Sequence, residues 1–357
     1  MPSRTRMQPG KLNPDDIAAA MVIPENALWH MAHNVSACFK PTRKRMIRGK
    51  VRGIDAPYRE DRKRLRVLHR FLRSWGPHDA VHGGRTRRSC MTAAHRHKGK
   101  SIVVTRDIQD CYPSIKTAAL FKSLVRYGFR RDTSRLLSFL MTPRGRIAQG
   151  SPLSADALNY HLFEADQSLR YQCRRLGFEY TRTYDDFVAS GSRPQDAPKV
   201  GHIIKAAVER LGLNVSQRKR WRNGFQPSRR EQRVHNIVVN SPLGVSIPAE
   251  QTQTASEDAE AFLRGVISIR PQTIIGLAHR RQRLVGRMSY FRQATFAPVR
   301  ELRNALNKGD QIVLARLRKE GVFHGKKWWK LGKRDATINA LADRWVRARA
   351  TALVLDA

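Results

Sequence analysis

The sequence predicts an α+β fold, in which a small antiparallel sheet packs on helices. Short β-branched or alternating runs, such as 102–104 and 180–190, read as strands, and acidic residues stand at one end of them. Elsewhere, apolar residues recur at spacings of three and four, the pattern of helices that bury one face. After about residue 250 the chain is predicted to be mostly helical.

The first part of the chain predicts a helix, a basic strand and a second helix. Residues 1–13 are polar and expected to be loose, and a helical pattern follows over 15–35. A dense basic run occupies 39–66, and residues 49–57 within it alternate like a strand that ends at a proline. The apolar face of the next helix comprises Leu65, Leu68, Leu72 and Trp75.

The middle of the chain contains the longest helical pattern and two hairpins. Residues 154–176 are predicted to form one helix, with the first serine as its N-cap. Residues 180–190 predict a hairpin whose tip is Tyr184-Asp185, and 237–247 predict another around Ser-Pro-Leu-Gly. The apolar face of the long helix comprises Leu158, Leu162, Ala165, Leu169, Cys173 and Leu176.

The last third of the chain predicts amphipathic helices whose basic residues lie largely off the apolar stripe. Residues 308–357 form a final basic segment, with a helix predicted near Trp345. Trp328 and Trp329 in this segment either stack on bases or pack in the core under that helix, and we favour packing for at least one of them. The apolar stripe comprises Leu277, Leu284, Met288 and Phe291.

The composition points to a polyanionic partner. The 357 residues include 68 Lys and Arg against 29 Asp and Glu, a formal net charge of +39. Such a charge repels itself unless an anionic partner neutralises it, and nucleic acid is the expected one. There is no apolar run long enough for a bilayer and no clean basic amphipathic anchor, so no membrane partner is expected. The four cysteines form no CxxC pair, which favours a reducing, cytoplasmic setting.

Three carboxylates stand in two strand contexts. Asp107 lies in Thr-Arg-Asp-Ile-Gln-Asp-Cys-Tyr-Pro-Ser-Ile (105–115), and Asp185 and Asp186 are adjacent in Tyr-Thr-Arg-Thr-Tyr-Asp-Asp-Phe-Val-Ala-Ser (180–190). Three carboxylates at strand ends can hold two divalent cations, and a two-cation site is how proteins join nucleotides. Two adjacent Asp on a hairpin are usually a solvated turn, so the interpretation depends on the motifs around them.

Those motifs occur in a definite order along the chain. They are Gly-Lys-Val-Arg-Gly-Ile-Asp-Ala-Pro at 49–57, Val-His-Gly-Gly-Arg at 81–85, the Asp107 segment, Gln-Gly-Ser-Pro-Leu-Ser at 149–154, Thr-Tyr-Asp-Asp at 183–186, the hairpin region 234–247 and Leu-Val-Gly-Arg-Met-Ser-Tyr at 284–290. The series resembles reverse transcriptases, in particular the bacterial retron, group II intron and defence-associated types. The resemblance covers roughly residues 40–300.

The resemblance implies a right-hand polymerase that adds deoxynucleoside triphosphates (dNTPs) to a 3′-hydroxyl on an RNA template, giving a DNA product. Fingers and palm would occupy 40–248 and a helical thumb 249–307, between an N-terminal extension (1–39) and a basic C-terminal extension (308–357). The template is expected to be a structured noncoding RNA encoded nearby. The expected setting is bacterial anti-phage defence, where an accessory effector protein is a candidate partner.

The resemblance also implies roles for the acidic residues. Asp107 and Asp185 would bridge two Mg²⁺ ions, with Mn²⁺ as the alternative metal, and Asp186 would complete or orient the set. The expected nucleotide contacts are Lys50, Arg52, Tyr112, Gln149, Gly150 and Lys219. The expected nucleic-acid contacts are Arg85, Tyr184, Arg280, Arg281 and Arg287.

For several of these residues a purely structural role is the alternative. Lys50 and Arg52 match phosphate contacts, Arg52 bidentately, but they also suit an ordinary exposed basic strand. Tyr112 would lie under the sugar and exclude a 2′-hydroxyl, or it is a core tyrosine beside a proline. Lys219 is either a phosphate contact or general acid, or part of a solvated basic face.

Three positions depart from the retron pattern. Only His95 agrees with the family's NAxxH segment, and Val-His-Asn at 234–236 stands where the family has Val-Thr-Gly. In the acidic box the usual tyrosine is Thr183, and the bulky Tyr184 replaces a small residue. These departures bear on the RNA partner, the priming and the fidelity, and they leave the three carboxylates intact.

Two other functions stay open at this point. One is untemplated or protein-primed DNA synthesis, for which the sequence nominates no clear hydroxyl donor. The other is a non-catalytic RNA-binding scaffold in which the acidic box is a relic. The intact Asp107, Asp185 and Asp186 weigh against the scaffold.

Overall fold

The computed structural model describes residues 8–47, 49–75, 79–216, 224–267, 274–294, 297–319 and Trp328. The chain divides into two compact units, residues 1–235 and 236–357. The division falls between His235 and Asn236, whereas the palm was predicted to end at residue 248. Each unit is described by itself.

Helices are the main type of regular secondary structure in the first unit. The helices are α1 (Pro14–Met21), α2 (Glu25–His33), α3 (Arg59–Leu72), α4 (Cys90–Arg96), α5 (Cys111–Ser114), α6 (Thr117–Tyr127), α7 (Arg131–Met141), α8 (Ser154–His161), α9 (Phe163–Arg175) and α10 (Ala197–Glu209). Short 3-10 turns at Pro9–Lys11, Val35–Cys38, Arg73–Trp75, Pro143–Gly145 and Pro194–Asp196 connect some of them. In α3 the predicted apolar face is buried, because Leu65, Leu68 and Leu72 are almost inaccessible.

The strands of the first unit form a basic hairpin and a four-stranded antiparallel sheet. The hairpin pairs β1 (Arg43–Ile47) with β2 (Lys50–Ile54). The sheet has the order β4-β5-β3-β6, from β3 (Ile102–Asp107), β4 (Phe178–Thr183), β5 (Asp186–Gly191) and β6 (Phe225–Pro227). A further short strand, β7 (Arg233–Val234), ends the unit. The hairpin predicted over 180–190 is confirmed by the pairing of β4 with β5.

The core of the first unit lies between this sheet and the helices that cover it. Helix α9 packs on β4 and α10 packs on β3. The sheet contributes Val104, Ala189 and Phe187, each buried, and the burial of these apolar side chains is the main favourable term in folding. Helices α9 and α10 therefore support the sheet and hold the ends of its strands in position.

Two predicted helices differ from the structure. The pattern over 15–35 is two helices, because Val22 adopts a left-handed conformation (φ 58°) and Pro24 then starts α2 as its N-cap. The pattern over 154–176 is also two helices, which meet at Leu162. Ser154 is not the N-cap, because Leu153 occupies that position and Ser154 is the first residue of α8, where its hydroxyl lies within hydrogen-bond distance of the Ala148 and Ser151 carbonyl oxygens.

The second unit contains a hairpin and three long helices. The hairpin pairs β8 (Ile237–Ser241) with β9 (Gly244–Ser246), which confirms the prediction over 237–247. The helices α11 (Ala249–Ile267), α12 (Ile274–Phe291) and α13 (Val299–Lys319) pack on one another. Helix α13 runs through residue 307, where the sequence predicted the thumb to end.

Trp328 is buried in the second unit. Its indole N–H donates to Asp310 Oδ1 at 2.9 Å, and Asp310 also receives two nitrogens of Arg281, at 2.6 and 2.7 Å. The predicted burial in the core is confirmed for Trp328. Trp329 and the helix predicted near Trp345, under which these residues were expected to pack, lie outside the described residues. All four cysteines are free thiols. In the described segments, no helix combines the length and the apolar character needed to cross a bilayer.

A close helix approach in the second unit gives a stability test. A Cβ on Gly309 would lie 2.2 Å from the Phe262 ring, whereas a Cβ on Gly286 would meet nothing within 4 Å. We expect Gly309→Ala to lower the free energy of unfolding by about 1–3 kcal/mol, since the packed helices must separate. Gly286→Ala, the matched control, should raise it by about 0.5–1 kcal/mol through helix propensity. Urea denaturation checks both, and equal effects would contradict the packing argument.

Candidate active site

The three carboxylates come together at one edge of the four-stranded sheet, which we call the acidic edge. Asp107 ends β3 and Asp186 begins β5, and the antiparallel register places these two residues directly opposite each other. Asp185 precedes Asp186 in the turn, and its carbonyl oxygen accepts a hydrogen bond from the Ile108 amide at 3.2 Å. All three are partly accessible, and Tyr184 at the tip is 41% exposed. The backbone thus brings the two predicted contexts to one place.

The donor set suits hard divalent cations. Carboxylate oxygens are the ligands that Mg²⁺ and Mn²⁺ prefer, and strand-end carboxylates that face each other across a pair can share an ion. Within the described segments, no three His, Cys, Asp or Glu side chains stand close enough together to hold a metal ion as they are. The three carboxylates fit such ions in donor chemistry and in backbone position, but their side chains as they stand do not converge on one ion.

A fully buried ion pair supports, from inside the protein, the turn that carries Tyr184 and Asp185 (the acidic turn). Arg182, in β4, is inaccessible and contacts both oxygens of the equally buried Asp166, with its closest approach at 2.7 Å. The same guanidinium donates to the Tyr184 carbonyl at 2.6 Å and to the side-chain oxygen of Asn159 at 3.0 Å. The Tyr180 hydroxyl completes the cluster by donating to Asp166 at 2.7 Å. The backbone of the turn is thus tied to α8 and α9.

Sequence reasoning missed this network. The available signal was an arginine in an otherwise buried strand, two residues before the acidic turn, together with a single aspartate inside an amphipathic helix. Burial disfavours the charged guanidinium of Arg182, but the adjacent Asp166 outweighs burial and raises its pKa. Charged groups without access to water are rarely kept unless they are paired, and this pair also orients a functional turn.

Two glycines let the 81–85 segment pass directly under the acidic turn. The Arg182 amide donates to Ala80 O and the His82 amide donates to Arg182 O, both at 2.8 Å. A Cβ on Gly83 would lie 2.3 Å from the Tyr184 amide nitrogen, and one on Gly84 would lie 2.6 Å from the Ala155 side chain. The Gly-Gly pair is therefore required by close approach, while Arg85 follows it in a half-buried position.

The buried histidines near this edge have structural roles. His97 bridges the hydroxyls of Ser190 and Thr181, each at 2.7 Å, and so links α4 to strands β5 and β4. Burial lowers the pKa of His97 to about 3 and that of His82 to about 4, so both rings are neutral near pH 7. His82 contacts the Thr92 hydroxyl at 2.7 Å, which ties the 81–85 segment to α4.

Tyr112 lies beside the acidic edge. It follows Asp110, whose left-handed backbone (φ 43°) starts the short helix α5. Burial and then the charge of Asp185 raise the pKa of the Tyr112 phenol, so the hydroxyl stays protonated. The same two causes raise the pKa of the Cys111 thiol, which is buried and inert. The predicted sugar-contacting ring therefore lies within electrostatic range of Asp185, a predicted metal ligand.

The basic hairpin reaches the same region through Lys50. Its ammonium forms an ion pair with Asp110, the carboxylate two residues before Tyr112. Arg52 lies two residues further along β2, opposite Arg45, and its buried Nε has no hydrogen-bond partner. A buried guanidinium nitrogen without a partner carries a cost, so Arg52 is suited to donate to a ligand oxygen.

Gln149 and Gly150 are fixed to the hairpin through Asp55. The Asp55 amide donates to Gln149 O at 2.9 Å, and a Cβ on Gly150 (φ 130°) would lie 2.9 Å from Asp55 O. The buried Asp55 carboxylate is paired with Arg144 at 3.0 Å and Arg146 at 2.9 Å. The predicted nucleotide contacts on β2 and at 149–150 therefore belong to one rigid piece.

The remaining predicted nucleic-acid and nucleotide contacts lie in the second unit or outside the described residues. In the second unit Arg280 is exposed, whereas Arg281 is taken up by the ion pair with Asp310 and Arg287 lies 2.9 Å from Asp258. The structure thus brings Arg281 into the interior and leaves Arg280 on the surface. Lys219 lies outside the described residues.

Comparison with known proteins defines the class of this chain. Residues 40–221 match the family described as reverse transcriptase (RNA-dependent DNA polymerase), which is half of the chain. The chain belongs to this family, and with it to the nucleotidyltransferases that polymerise DNA on RNA. The right-hand polymerase fold predicted from the sequence is thereby confirmed.

Bacterial retron enzymes are among the similar proteins. Retron Mx65 reverse transcriptase from Myxococcus xanthus is 28% identical over 310 residues, which cover 75% of this chain and 71% of that protein. Retron Mx162 reverse transcriptase from the same organism is 31% identical over 230 residues, covering 56% and 47%. The chain thus spans less than half of the second relative. A telomerase structure from Candida albicans, in complex with a telomeric RNA fragment, aligns with a TM-score of 0.39, 11% identity and coverages of 88% and 64%.

The buried ion pair under the acidic turn can be tested separately for stability and for activity. Arg182→Met leaves Asp166 charged and unpaired, so we expect it to lower the free energy of unfolding by about 3–5 kcal/mol. Arg182→Met combined with Asp166→Leu should cost clearly less, because no charge is left buried. dNTP incorporation should stay low in both variants, since the Tyr184 carbonyl has lost its donor. Urea denaturation and a primer-extension assay check this, and activity that recovers together with stability would contradict it.

Proposed function

We propose that this chain synthesises DNA on an RNA template by adding dNTPs to a 3′-hydroxyl, with Mg²⁺ held by Asp107, Asp185 and Asp186. The observation that carries the proposal is the direct pairing of Asp107 with Asp186 at the end of the sheet, with Asp185 beside them. Mn²⁺ would suit the same donors. When bound, two such ions neutralise the triphosphate and favour the deprotonated primer hydroxyl.

The protein's own residues supply positioning and charge, which is most of what phosphoryl transfer needs. Lys50 and Arg52 would bind phosphate oxygens, and the Lys50–Asp110 ion pair keeps the ammonium near the acidic edge before the nucleotide arrives. The ring of Tyr112 would lie under the sugar. Gln149 and Gly150 would contact the template and the incoming base, where the absence of a side chain permits close backbone approach.

A basic cavity supports RNA as the template. It has a volume of about 640 Å³, and it lies between the β1–β2 hairpin, α3 and the loop at 150–152. None of the described residues that line it is acidic, so its potential favours phosphates. Its lining is Lys40, Pro41, Arg43, Arg45, Ile54, Ala56, Arg62, Arg66, His69, Gly150, Ser151 and Pro152.

The setting we propose is a bacterial defence system in the cytoplasm, in which the template is a dedicated, structured noncoding RNA and an effector protein is a further partner. Similarity to proteins named as retron reverse transcriptases supports a retron-like arrangement. The formal net charge of +39 supports a large RNA partner, because each neutralised phosphate releases counterions. The free cysteines suit a reducing compartment.

The first test is incorporation of labelled dNTPs by the purified protein with its co-purifying RNA. We expect synthesis that requires Mg²⁺, is abolished by RNase pretreatment and yields products complementary to the bound RNA. The Asp185→Asn, Asp186→Asn variant should fall by at least about a thousandfold, since the ligands of both ions are altered. The Asp15→Asn variant, at an exposed aspartate of α1, is the matched control for loss of a carboxylate and should keep wild-type incorporation.

The other outcomes discriminate the alternatives. RNase-resistant synthesis that still depends on the aspartates would replace templated by untemplated or protein-primed polymerisation. Tight RNA binding without incorporation, equal in wild type and in the Asp185→Asn, Asp186→Asn variant, would sink the polymerase proposal in favour of a scaffold.

Sugar selection tests the place of Tyr112. We expect Tyr112→Val to raise the use of ribonucleoside triphosphates relative to dNTPs by at least about tenfold, because the space for a 2′-oxygen opens. Tyr171→Val, at an exposed tyrosine of α9, is the matched control and should leave the ratio unchanged. Single-nucleotide incorporation with each triphosphate measures the ratio, and an unchanged ratio in Tyr112→Val would return this ring to a core role.

A further inference from the structure

His235 is buried against the acidic edge, directly after β7. Its side chain is 4% exposed, and its Nδ1 lies 3.7 Å from Oδ2 of Asp186. This histidine stands in the Val-His-Asn segment, where the family pattern has threonine. The substitution thus introduces an imidazole next to one of the three carboxylates.

The position of His235 is set by the sheet that carries Asp107. Gln226 lies in β6 and pairs with Val103 of β3. Its amide side chain bonds both backbone groups of Arg233: Oε1 accepts from the Arg233 amide at 2.6 Å, and Nε2 donates to the Arg233 carbonyl at 3.0 Å. Because this clamp fixes the chain two residues before His235, the imidazole approaches Asp186 from a determined direction.

His235 carries two local costs. Its backbone is left-handed (φ 50°), which is uncommon for a residue with a side chain. Its Nε2 is buried and has no hydrogen-bond partner. A strained backbone and an unpaired buried nitrogen persist only where the surroundings impose them, and they cluster at functional sites.

The tautomer with the proton on Nδ1 is the one that suits the surroundings of the His235 ring. A neutral imidazole has one N–H donor and one acceptor nitrogen. With the proton on Nδ1, the donor faces the Asp186 carboxylate and the unpaired Nε2 is only a lone pair, which is less costly to bury than an N–H. The opposite tautomer would bury an unpaired donor and set a lone pair against a carboxylate.

The two nearby buried histidines are engaged elsewhere. His97 is used by the hydroxyls of Ser190 and Thr181, and His82 by Thr92. His235 differs from both because its Nδ1 lies 3.7 Å from the carboxylate of Asp186. Of these three histidines, His235 is the one whose ring faces a proposed metal ligand, Asp186.

We propose that His235 is a positioning residue for Asp186: its Nδ1–H donates to Oδ2 and so selects the carboxylate oxygen that is presented to the cation. The proposal rests on the proposed function of the acidic edge. The 3.7 Å separation is longer than an ordinary hydrogen bond, so the proposed role requires the Asp186 carboxylate to move toward the ring when a cation binds. Second-sphere donors of this kind orient metal-ligating carboxylates and change metal affinity or activity by about 10–100-fold.

The test compares His235→Asn with His235→Leu. Asparagine places an amide N–H near the position of Nδ1 and tolerates a left-handed backbone, whereas leucine fills the space without a donor. His235→Gln is added in case the leucine variant does not fold. Its amide lies one methylene further from the backbone than that of asparagine, so it does not place an N–H at the position of Nδ1. Thermal melting establishes that each variant is folded. Mn²⁺ binding to the RNA-free protein, followed by electron paramagnetic resonance, is measured beside dNTP incorporation as a function of Mg²⁺.

We expect His235→Leu and His235→Gln to bind Mn²⁺ at least about tenfold more weakly than wild type and to need correspondingly more Mg²⁺ for half-maximal incorporation. His235→Asn should stay within about threefold of wild type. Wild-type affinity in folded His235→Leu or His235→Gln would overturn the positioning role, as would an equal loss in Asn, Leu and Gln.

The Mn²⁺ measurement separates this inference from the proposed polymerase function. Binding that is lost in Asp186→Asn and weakened in His235→Leu would support the positioning role even if the protein incorporated no dNTP, a result that would remove only the polymerase proposal. Absence of Mn²⁺ binding by wild type would overturn the positioning role itself, since Asp186 would then have no cation to be oriented toward.

Discussion

The buried Arg182–Asp166 ion pair is the interaction on which the rest of this site depends. Two adjacent aspartates at a hairpin tip repel each other, and a bound cation would offset that repulsion. Here the guanidinium holds the Tyr184 carbonyl from inside the protein, while Asp166 cancels the positive charge that would otherwise be buried. The pair does not depend on the metal, so the turn keeps its shape without one.

Around this pair the structure brings distant parts of the chain together by close backbone approach. The Gly83-Gly84 segment passes beneath the turn, and Gly150 lies against Asp55, which ties the basic hairpin to the 149–150 loop. Both contacts exclude a side chain, so the positions of the carboxylates and of the basic residues are defined by backbone rather than by flexible side chains. Such rigidity suits a site that works mainly by positioning and by charge neutralisation.

Much of the site was predictable because its motifs are local. The strand pattern before Asp107 and the hairpin that carries Asp185 and Asp186 can be read within about ten residues each, and the family comparison confirms the class that their order indicated. The helix breaks at Val22 and Leu162 were not predictable from periodicity, because the apolar pattern continues through both. Arg281 was expected on a nucleic-acid surface, yet its partner Asp310 is 29 residues away and no local pattern pairs them.

The sequence by itself determined the class of the protein, the α+β architecture and the identity of the acidic residues, because residue type, spacing and order carry that information. Only the tertiary structure decided which of the many basic residues are free to meet a ligand and which are consumed by internal pairs. It also decided that Arg182 supports the acidic turn and that His235 lies against Asp186. These last relations join residues on different strands and helices, and the distances between them follow from packing, which no one-dimensional pattern records.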